Sequence, residues 1–323
     1  MNARLPEPIN ADLTAPIDPP LAGFLAQAAM QPPLESLPPD VGRQIYRELA
    51  ASLGLPPPPV ATVVDHTVRG PGGPLPLRLY TPATPAALPR PMLVYLHGGG
   101  WVIGDLETHD AVCRQLCHDA GMLVIAVDYR RAPEHPFPAA PDDAEAALRW
   151  AAAHAAELGG DPARLSVAGD SAGAQLAAVA AMRVGADVPL RGLGLIYPPA
   201  LHHSETTPSR SENGEGKFLT ASAMVWFMDS YLGKDASMVR HPQAALLHAT
   251  RLGDLPPTWI ATLGHDPLRD EGIALAQALA AAGVATTHVH EPSGVHACIH
   301  FTALSPVGGR LMAGLAQWLR QTA

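Results

Sequence analysis

The sequence contains few cysteines. Its 323 residues include only three, Cys113, Cys117 and Cys298, and an odd number cannot all pair in a disulfide framework. Cys113 and Cys117 lie four residues apart in a helical pattern, but a zinc site built on them would need a second pair of ligands that the spacing does not provide. We therefore interpret all three as ordinary buried thiols, and we predict no metal site.

Basic residues and long apolar runs are also scarce. Lysine and arginine number 21 against 30 acidic residues, which gives a formal net charge of −9, and no basic run occurs. Nucleic acid and anionic membrane surfaces are therefore poor candidates as partners. No stretch of 18 or more residues is continuously apolar, and residues 1–20 lack the pattern of a signal peptide. We expect a cytoplasmic protein without a stable membrane association.

The sequence does contain an alternation of short apolar strands and helical segments. It starts with two strand-like runs at residues 62–68 and 75–80, joined by a glycine-rich turn that is typical of an antiparallel hairpin. Further apolar strands are predicted at residues 92–96, 122–127, 165–168, 193–197, 259–263 and 286–290. Strands of this kind between helices are typical of a parallel sheet covered on both faces. We predict an α/β protein with about eight strands.

Two parts of the chain fall outside this alternation. The first part holds two short helices near residues 21–30 and 40–53, between proline clusters. The second follows the strand at 193–197 and consists of a polar stretch, residues 202–216, and an apolar helix at 221–232. Since neither part belongs to the sheet, we predict that both cover one end of it.

A serine follows one predicted strand in a turn bounded by glycines. Residues 169–173 read Gly-Asp-Ser-Ala-Gly and lie between the strand at 165–168 and a helix that begins at Ala172. So tight a turn holds Ser171 in a strained, exposed position, and a Cβ at either glycine would clash across it. The alternative is a serine that only caps the helix. The placement favours a nucleophile.

Three consecutive glycines, Gly98, Gly99 and Gly100, follow another predicted strand. Unpaired backbone N–H groups in such a loop can stabilise a negatively charged oxygen. A plain flexible turn is the alternative. A dinucleotide-binding fingerprint would need glycine at position 103, which is Ile103, and no nucleotide P-loop pattern occurs. A nicotinamide enzyme is therefore disfavoured.

An aspartate and a histidine are placed to complete a serine triad. Asp266 follows the strand at 259–263, where it can orient a base, whereas Asp270 is better suited to cap the next helix. His296 lies in the loop after the last predicted strand, and this placement favours it over other histidines, namely His265, His288, His290 and His300. The chain order serine, aspartate, histidine is one of the known triad orders.

Together these motifs resemble the hormone-sensitive-lipase-like family of α/β-hydrolase carboxylesterases, in its bacterial branch with Gly-Asp-Ser-Ala-Gly. The matching segments are residues 97–101 (His-Gly-Gly-Gly-Trp), 128–140 (Asp-Tyr-Arg-Arg-Ala-Pro-Glu-His-Pro-Phe-Pro-Ala-Ala), 169–173, 266–270 (Asp-Pro-Leu-Arg-Asp) and 294–296 (Gly-Val-His). The chain departs from the family pattern at Arg131, where leucine is common. It departs again after His296, where Ala297 and Cys298 replace the usual Gly-Phe.

The resemblance implies an α/β-hydrolase fold: about eight mostly parallel strands flanked by helices, with a helical cap. Residues 1–55 and 201–240 would form the cap, and residues 56–200 and 241–323 the catalytic core. The resemblance leaves open a homodimer.

The resemblance also implies a serine carboxylesterase that needs neither cofactor nor metal. Ser171 would attack the ester, His296 would carry its proton and Asp266 would orient His296. The oxyanion hole would consist of backbone N–H groups supported by the preceding histidine and glycine: Gly99, Gly100 and Ala172, with His97 and Gly98.

A mostly apolar pocket under the cap would suit small uncharged esters with short acyl chains. Its candidate residues are Trp101, Asp170, Met224, Trp226, Phe227 and Met228. For the helical residues among them, the alternative is simple packing on the core. Two other functions remain open at this point: an amidase or deacetylase with the same triad, and a binding protein of the same fold without catalysis.

Overall fold

The structure, a computed structural model, describes residues 13–84 and 88–322 and contains one sheet of eight strands with helices on both faces. The strands are β1 (Thr62–Gly70), β2 (Gly73–Thr81), β3 (Arg90–Leu96), β4 (Leu123–Val127), β5 (Gly160–Asp170), β6 (Leu193–Ile196), β7 (Thr258–His265) and β8 (Thr286–Val295). The helices are α1 (Pro19–Ala28), α2 (Pro39–Leu53), α3 (Asp110–Ala120), α4 (Ala139–Ala153), α5 (Ala172–Val184), α6 (Pro208–Asn213), α7 (Ala221–Leu232), α8 (Arg269–Ala281) and α9 (Val307–Thr322). Residues 1–12 of the predicted cap, and residues 85–87 and 323 of the predicted core, lie outside the described residues.

The strand order is β1-β2-β4-β3-β5-β6-β7-β8. Strand β2 pairs antiparallel with β1 and with β4, and the other neighbours are parallel. In this register Val94 of β3 lies opposite Ile125 of β4 and Val167 of β5. The predicted hairpin and eight-stranded, mostly parallel sheet are therefore confirmed. The segments that follow the parallel strands meet at one edge of the sheet, where sites in such folds gather.

The apolar runs of the central strands serve two cores. In β3, Leu93 and Tyr95 pack with residues of α3 and α9 on one face of the sheet. Met92, Val94 and Leu96 pack with residues of α4 and α5 on the other face. Because side chains alternate across a strand, a strand that is buried on both faces is apolar along most of its length.

The cysteines agree with a further expectation. All three cysteines are buried and unpaired, which confirms their interpretation as ordinary thiols. Within residues 13–84 and 88–322, no helix has both the length and the apolar composition that crossing a membrane requires.

The polar stretch at 202–216 contains a helix, α6, that its composition conceals. Its polar side chains bind the turn after β7: the Ser209 hydroxyl donates to the Pro267 carbonyl at 2.9 Å, and Asn213 Nδ2 donates to the Asp266 carbonyl at 3.3 Å. The prediction that Asp270 caps α8 is wrong. Leu268 occupies the N-cap, and Asp270 Oδ2 accepts the N–H of Ser209 at 2.7 Å instead.

Candidate active site

The turn between β5 and α5 holds Ser171 in a conformation that side chains rarely adopt, with φ 52° and ψ −123°. Such a conformation costs roughly 1–3 kcal/mol and persists only where the surroundings enforce it. A Cβ on Gly169 would lie 2.4 Å from the carbonyl carbon of Gly173, and a Cβ on Gly173 would lie 2.0 Å from the carbonyl oxygen of Leu96. The prediction that both positions require glycine is confirmed.

A continuous hydrogen-bond chain joins Asp266, His296 and Ser171. His296 Nδ1 lies 2.8 Å from Asp266 Oδ2, and His296 Nε2 lies 2.9 Å from Ser171 Oγ. Because an ionised carboxylate can only accept, Nδ1 carries the proton and Nε2 is free to accept from the hydroxyl. Asp266 Oδ1 accepts the N–H of Leu268 at 2.8 Å, so the carboxylate is held through both oxygens. Asp266 is fully buried and His296 is 5% exposed.

The segment after β3, which we call the glycine loop (residues 97–104), presents unpaired backbone donors beside the serine. Gly99 and Gly100 have φ of 118° and 58°, and a tight turn follows, in which the N–H groups of Val102 and Ile103 donate to the Gly99 carbonyl. Within the described residues, the N–H groups of Gly99, Gly100 and Ala172 have no acceptor. These donors and Ser171 line one cavity, so the arrangement suits a transient negative charge on a bound oxygen.

His97 and Gly98 brace the glycine loop from within. The ring of His97 stacks on Tyr129 with centroids 4.1 Å apart, and its Nδ1 lies 2.8 Å from the Gly98 carbonyl. Burial, reinforced by the nearby His109, lowers the pKa of His97 to about 3, so the ring is neutral. The N–H of Gly98 donates to Asp170 Oδ1 at 3.0 Å. A Cβ on Gly98 would lie 2.2 Å from Asp170 Oδ2, which explains why the first residue of the three-glycine run is glycine.

A cavity of about 1140 Å³ extends from Ser171 toward the N-terminal helices and the segment around α7. Of the predicted pocket residues, Trp101, Asp170, Met224, Phe227 and Met228 line it, and Trp226 is absent from its described wall. Further lining residues come from the N-terminal segment, among them Phe24, Leu34, Val41, Ile45 and Tyr46. This segment is predicted as part of the cap, but none of its residues is among the predicted pocket residues.

Trp101 and Asp170 line the cavity but are held by protein partners. Trp101 stacks on Tyr231 with centroids 4.6 Å apart, and its Nε1 donates to Gln175 Oε1 at 3.2 Å. Asp170 is 1% exposed, and its Oδ1 accepts from the Tyr95 hydroxyl at 2.9 Å as well as from the glycine loop. Both side chains therefore shape the wall rather than present free polar groups.

Three residues from separate segments, His109, Asp170 and His300, have ligand atoms within 4.8 Å of one another. Sequence spacing does not reveal this cluster, because its members lie in distant parts of the chain. Its atoms are already engaged: His109 Nε2 lies 3.1 Å from Asp170 Oδ1, and His300 Nε2 lies 2.9 Å from the Tyr46 hydroxyl. His300 is thus paired with Tyr46 of α2, whereas His296 is paired with Ser171.

Arginines on α2 and after β4 hold the glycine loop from outside. Arg43 Nε donates to the Val102 carbonyl at 2.9 Å, and Arg47 Nε donates to Oδ2 of Asp105, the residue directly after the loop, at 2.6 Å. Arg131, which departs from the family pattern, donates to the Gly104 carbonyl at 2.6 Å. For Arg43 and Arg47, the only feature of the sequence that indicates a shared role is their spacing of four residues, which puts both on one face of a helix.

The chain is similar to known esterases over most of its length. A family model described as the alpha/beta hydrolase fold matches residues 93–300. The esterase LipI of Mycobacterium tuberculosis is 40% identical over 274 residues, which cover 82% of this chain and 82% of LipI. The ethyl acetate hydrolase of Pseudomonas putida is 36% identical over 293 residues, which cover 89% of this chain and 91% of that hydrolase.

Solved structures extend the similarity to three dimensions. LAE6, an alpha/beta hydrolase enzyme from the metagenome of Lake Arreo in Spain that was solved as a serine-to-alanine mutant, superposes with a TM-score of 0.90 at 37% sequence identity. The match covers 96% of this chain and 99% of LAE6.

Proposed function

The chain belongs to the α/β-hydrolase fold family, among the hormone-sensitive-lipase-like carboxylesterases, and from this we propose that it hydrolyses small, uncharged carboxylic esters with short acyl chains through an acyl-enzyme on Ser171. The observation that carries the proposal is the hydrogen-bond chain from Asp266 through His296 to Ser171, which ends in the cavity that Gly99 and Gly100 also line.

In the first half of the proposed reaction, Ser171 Oγ forms a bond to the ester carbonyl carbon while its proton passes to His296 Nε2. Asp266 holds the ring in the required tautomer and stabilises the imidazolium. The tetrahedral intermediate then breaks its bond to the alcohol oxygen, which takes the proton from His296 Nε2. The products of this half are a free alcohol and an acyl group on Ser171.

In the second half, water attacks the acyl carbon while His296 Nε2 takes a proton from it. The bond to Ser171 Oγ then breaks, and the proton returns to the serine. In both halves, negative charge develops on the carbonyl oxygen, which the N–H groups of Gly99, Gly100 and Ala172 are proposed to bind. Each such donor typically lowers the barrier by about 3 kcal/mol.

The space beside the glycine loop is small, which supports the proposal of a short acyl chain. A Cβ on Gly100 would lie 2.3 Å from the ring of Phe227, so the ring closes the space directly beside the proposed oxyanion hole. The larger remainder of the cavity, toward α1 and α2, is then the part that would take the alcohol portion of the ester.

The proposal includes a helical cap of residues 1–55 and 201–240 over a catalytic core of residues 56–200 and 241–323. It is supported by the cavity, whose wall combines residues of α1, α2 and α7 with Ser171. We further propose a cytoplasmic enzyme that acts on small molecules, with no nucleic-acid partner and no stable membrane association. Three unpaired cysteines agree with a reducing compartment.

The decisive experiment combines a covalent probe with matched substrates. A fluorophosphonate should label the wild-type enzyme once, on Ser171, while Ser171→Ala should show no label, no ester turnover and an unchanged unfolding temperature. Among nitrophenyl esters, kcat/KM should be highest for short acyl chains. An unlabelled wild type would favour a non-catalytic binding protein, and comparable cleavage of a matched anilide would replace the esterase by an amidase.

A further inference from the structure

The proposed reaction develops negative charge beside a carboxylate that already lies in the protein interior. Asp170 directly precedes Ser171, is 1% exposed and accepts the N–H of Gly98 at the start of the glycine loop. An uncompensated charge there would oppose the formation of an oxyanion, because buried charges interact more strongly than exposed ones. The site therefore needs either a neutral Asp170 or a cation beside it.

The contacts of Asp170 indicate an ionised carboxylate. Its Oδ1 receives three groups, the Tyr95 hydroxyl at 2.9 Å, the Gly98 N–H at 3.0 Å and His109 Nε2 at 3.1 Å. Burial is the largest influence on Asp170 and by itself would raise its pKa, but His109, together with His300 and the Tyr95 hydroxyl, holds that pKa below its ordinary value.

Each ring nitrogen of His109 faces an oxygen that can accept a hydrogen bond from it. Thr108 Oγ1 donates to the Asp105 carbonyl at 2.8 Å and accepts the Asp105 N–H at 2.9 Å, which leaves a lone pair for His109 Nδ1 at 2.8 Å. On the other side of the ring, Nε2 faces Asp170 Oδ1. The Gly98 N–H lies 3.3 Å from Nε2 but 3.0 Å from the carboxylate, which is the nearer acceptor and the charged one.

The other titratable groups around His109 do not supply a competing charge. Its ring lies 4.7 Å from that of His300 and 5.6 Å from that of His97, and burial lowers the pKa of each of these neighbours to about 3. Tyr46 and Tyr95 lie 6.3 Å and 6.2 Å away, ring to ring, and burial raises the pKa of both phenols well above the ordinary value. His109 is thus the one group of this cluster that is placed to carry a positive charge.

We propose that His109 is a positioning residue that acts as the cationic partner of Asp170. In this role it holds the carboxylate where it binds the Gly98 N–H, and it neutralises the negative charge that would otherwise lie beside the oxyanion. The inference rests on the proposed function. It adds a second, buried carboxylate–imidazole pair to the site, one that prepares the glycine loop and touches no substrate.

A double-mutant cycle tests the role in catalysis. His109→Gln keeps a hydrogen-bond donor near Asp170 but removes the charge, and it should lower kcat by ten- to a hundred-fold while KM changes less than three-fold. Asp170→Asn in the same chain removes the carboxylate charge, so the double variant should have a kcat at least five-fold above that of His109→Gln. A matched control is His288→Gln, a half-buried histidine on β8 outside the cluster, which should keep wild-type kcat.

The same inference is testable in the unaltered enzyme, should the variants fold poorly. In ¹⁵N-histidine spectra at pH 7, both ring nitrogens of His109 should have the shifts of an imidazolium. A neutral tautomer, a stoichiometric Zn²⁺ ion bound in the cluster, wild-type kcat in His109→Gln, or a folded double variant no faster than the single one would overturn the inference. If the wild type still reacts with a fluorophosphonate at Ser171, such a result leaves the proposed function intact.

Discussion

Arg43 Nε on α2 donates a hydrogen bond of 2.9 Å to the backbone carbonyl of Val102 inside the glycine loop. Its Nη2 donates to the carbonyl of Ala132 at 3.0 Å and also forms an ion pair with Glu134. A helix that lies outside the sheet is thereby attached to the loop whose N–H groups are proposed to bind the oxyanion.

Replacing Arg43 should therefore disturb catalysis although the residue is remote from Ser171. We expect Arg43→Ala to lower kcat by about ten-fold, roughly 1.4 kcal/mol of barrier, because the carbonyls of Val102 and Ala132 lose their donor. Steady-state kinetics measure kcat, and thermal unfolding shows whether the variant is folded. Glu134→Gln is the control: its side chain is 54% exposed, so loss of the ion pair alone should change kcat less than two-fold. Equal losses in both variants would contradict the role of the carbonyl contacts.

The two neighbouring histidines 296 and 300 should respond differently to substitution. His296→Ala should abolish ester turnover, because Ser171 loses the acceptor of its proton. His300→Ala should stay within about ten-fold of wild-type kcat/KM but lose about 1–3 kcal/mol of stability, since it leaves the buried Tyr46 hydroxyl without a partner. Kinetics with one ester and urea unfolding of both variants check this. An inactive but folded His300→Ala would show that the base is misassigned.

Alanine substitutions at two glycines should have opposite effects on stability, one through a steric clash and one through helix propensity. Gly173→Ala should abolish activity and destabilise the fold, because the new Cβ would lie 2.0 Å from a backbone carbonyl oxygen of Leu96. Gly309→Ala, on an exposed part of α9 with no atom within 4 Å of the added Cβ, should raise stability by about 0.5–1 kcal/mol. Unfolding temperatures of the two purified variants measure these changes. A Gly173→Ala variant as stable as the wild type, or a destabilised Gly309→Ala variant, would contradict this expectation.

Buried and half-buried histidines should make the fold sensitive to acid. Burial lowers the pKa of His97 and His300 to about 3 and that of His288 to about 4. In the unfolded chain histidine titrates near about pH 6.5, so below that pH the unfolded state holds protons that the folded state lacks. The free energy of unfolding should therefore fall as the pH drops from about 6.5 toward 4, by up to about 1.4 kcal/mol per pH unit for each histidine.

Urea unfolding at pH 7 and pH 5 measures this dependence. Because carboxylates also titrate in acid, the comparison that isolates a histidine is His288→Gln, which should reduce the pH dependence by up to about one proton. A pH dependence identical to that of the wild type would mean that His288 is protonated in the folded state at pH 5.

The charge of the cavity wall predicts a preference among esters. Within its described lining there is no lysine or arginine, whereas Glu35 and Glu215 both contribute to it. A substrate with its own carboxylate would lose hydration without gaining a cationic partner. We expect kcat/KM for the neutral ester ethyl butyrate to exceed that for monoethyl succinate by at least ten-fold. Glu215→Lys should reduce the ratio of these two kcat/KM values. Equal turnover of the two esters by the wild type would contradict this account.

Local patterns in the sequence predict most of the sheet and the central residues of the site. The apolar strands and the glycine-bounded Ser171 depend on contacts between near neighbours, and they are found at the expected places. Helix α6 escapes detection because its polar residues bind the turn after β7 rather than solvent. The contacts of Arg43 and His109 join segments that are distant in the chain, so no spacing rule reveals them.

The cavity is enclosed by two kinds of wall. Ser171 and the glycine loop belong to turns in which a methyl group added at a glycine meets backbone atoms or buried side chains, so these glycines leave almost no freedom for sequence change. The facing wall comes from side chains of α1, α2 and α7, which reach the cavity from outside those turns. Descendants of this enzyme can therefore acquire new substrates by exchanging side chains on those helices, while the chemical machinery beneath is inherited unchanged.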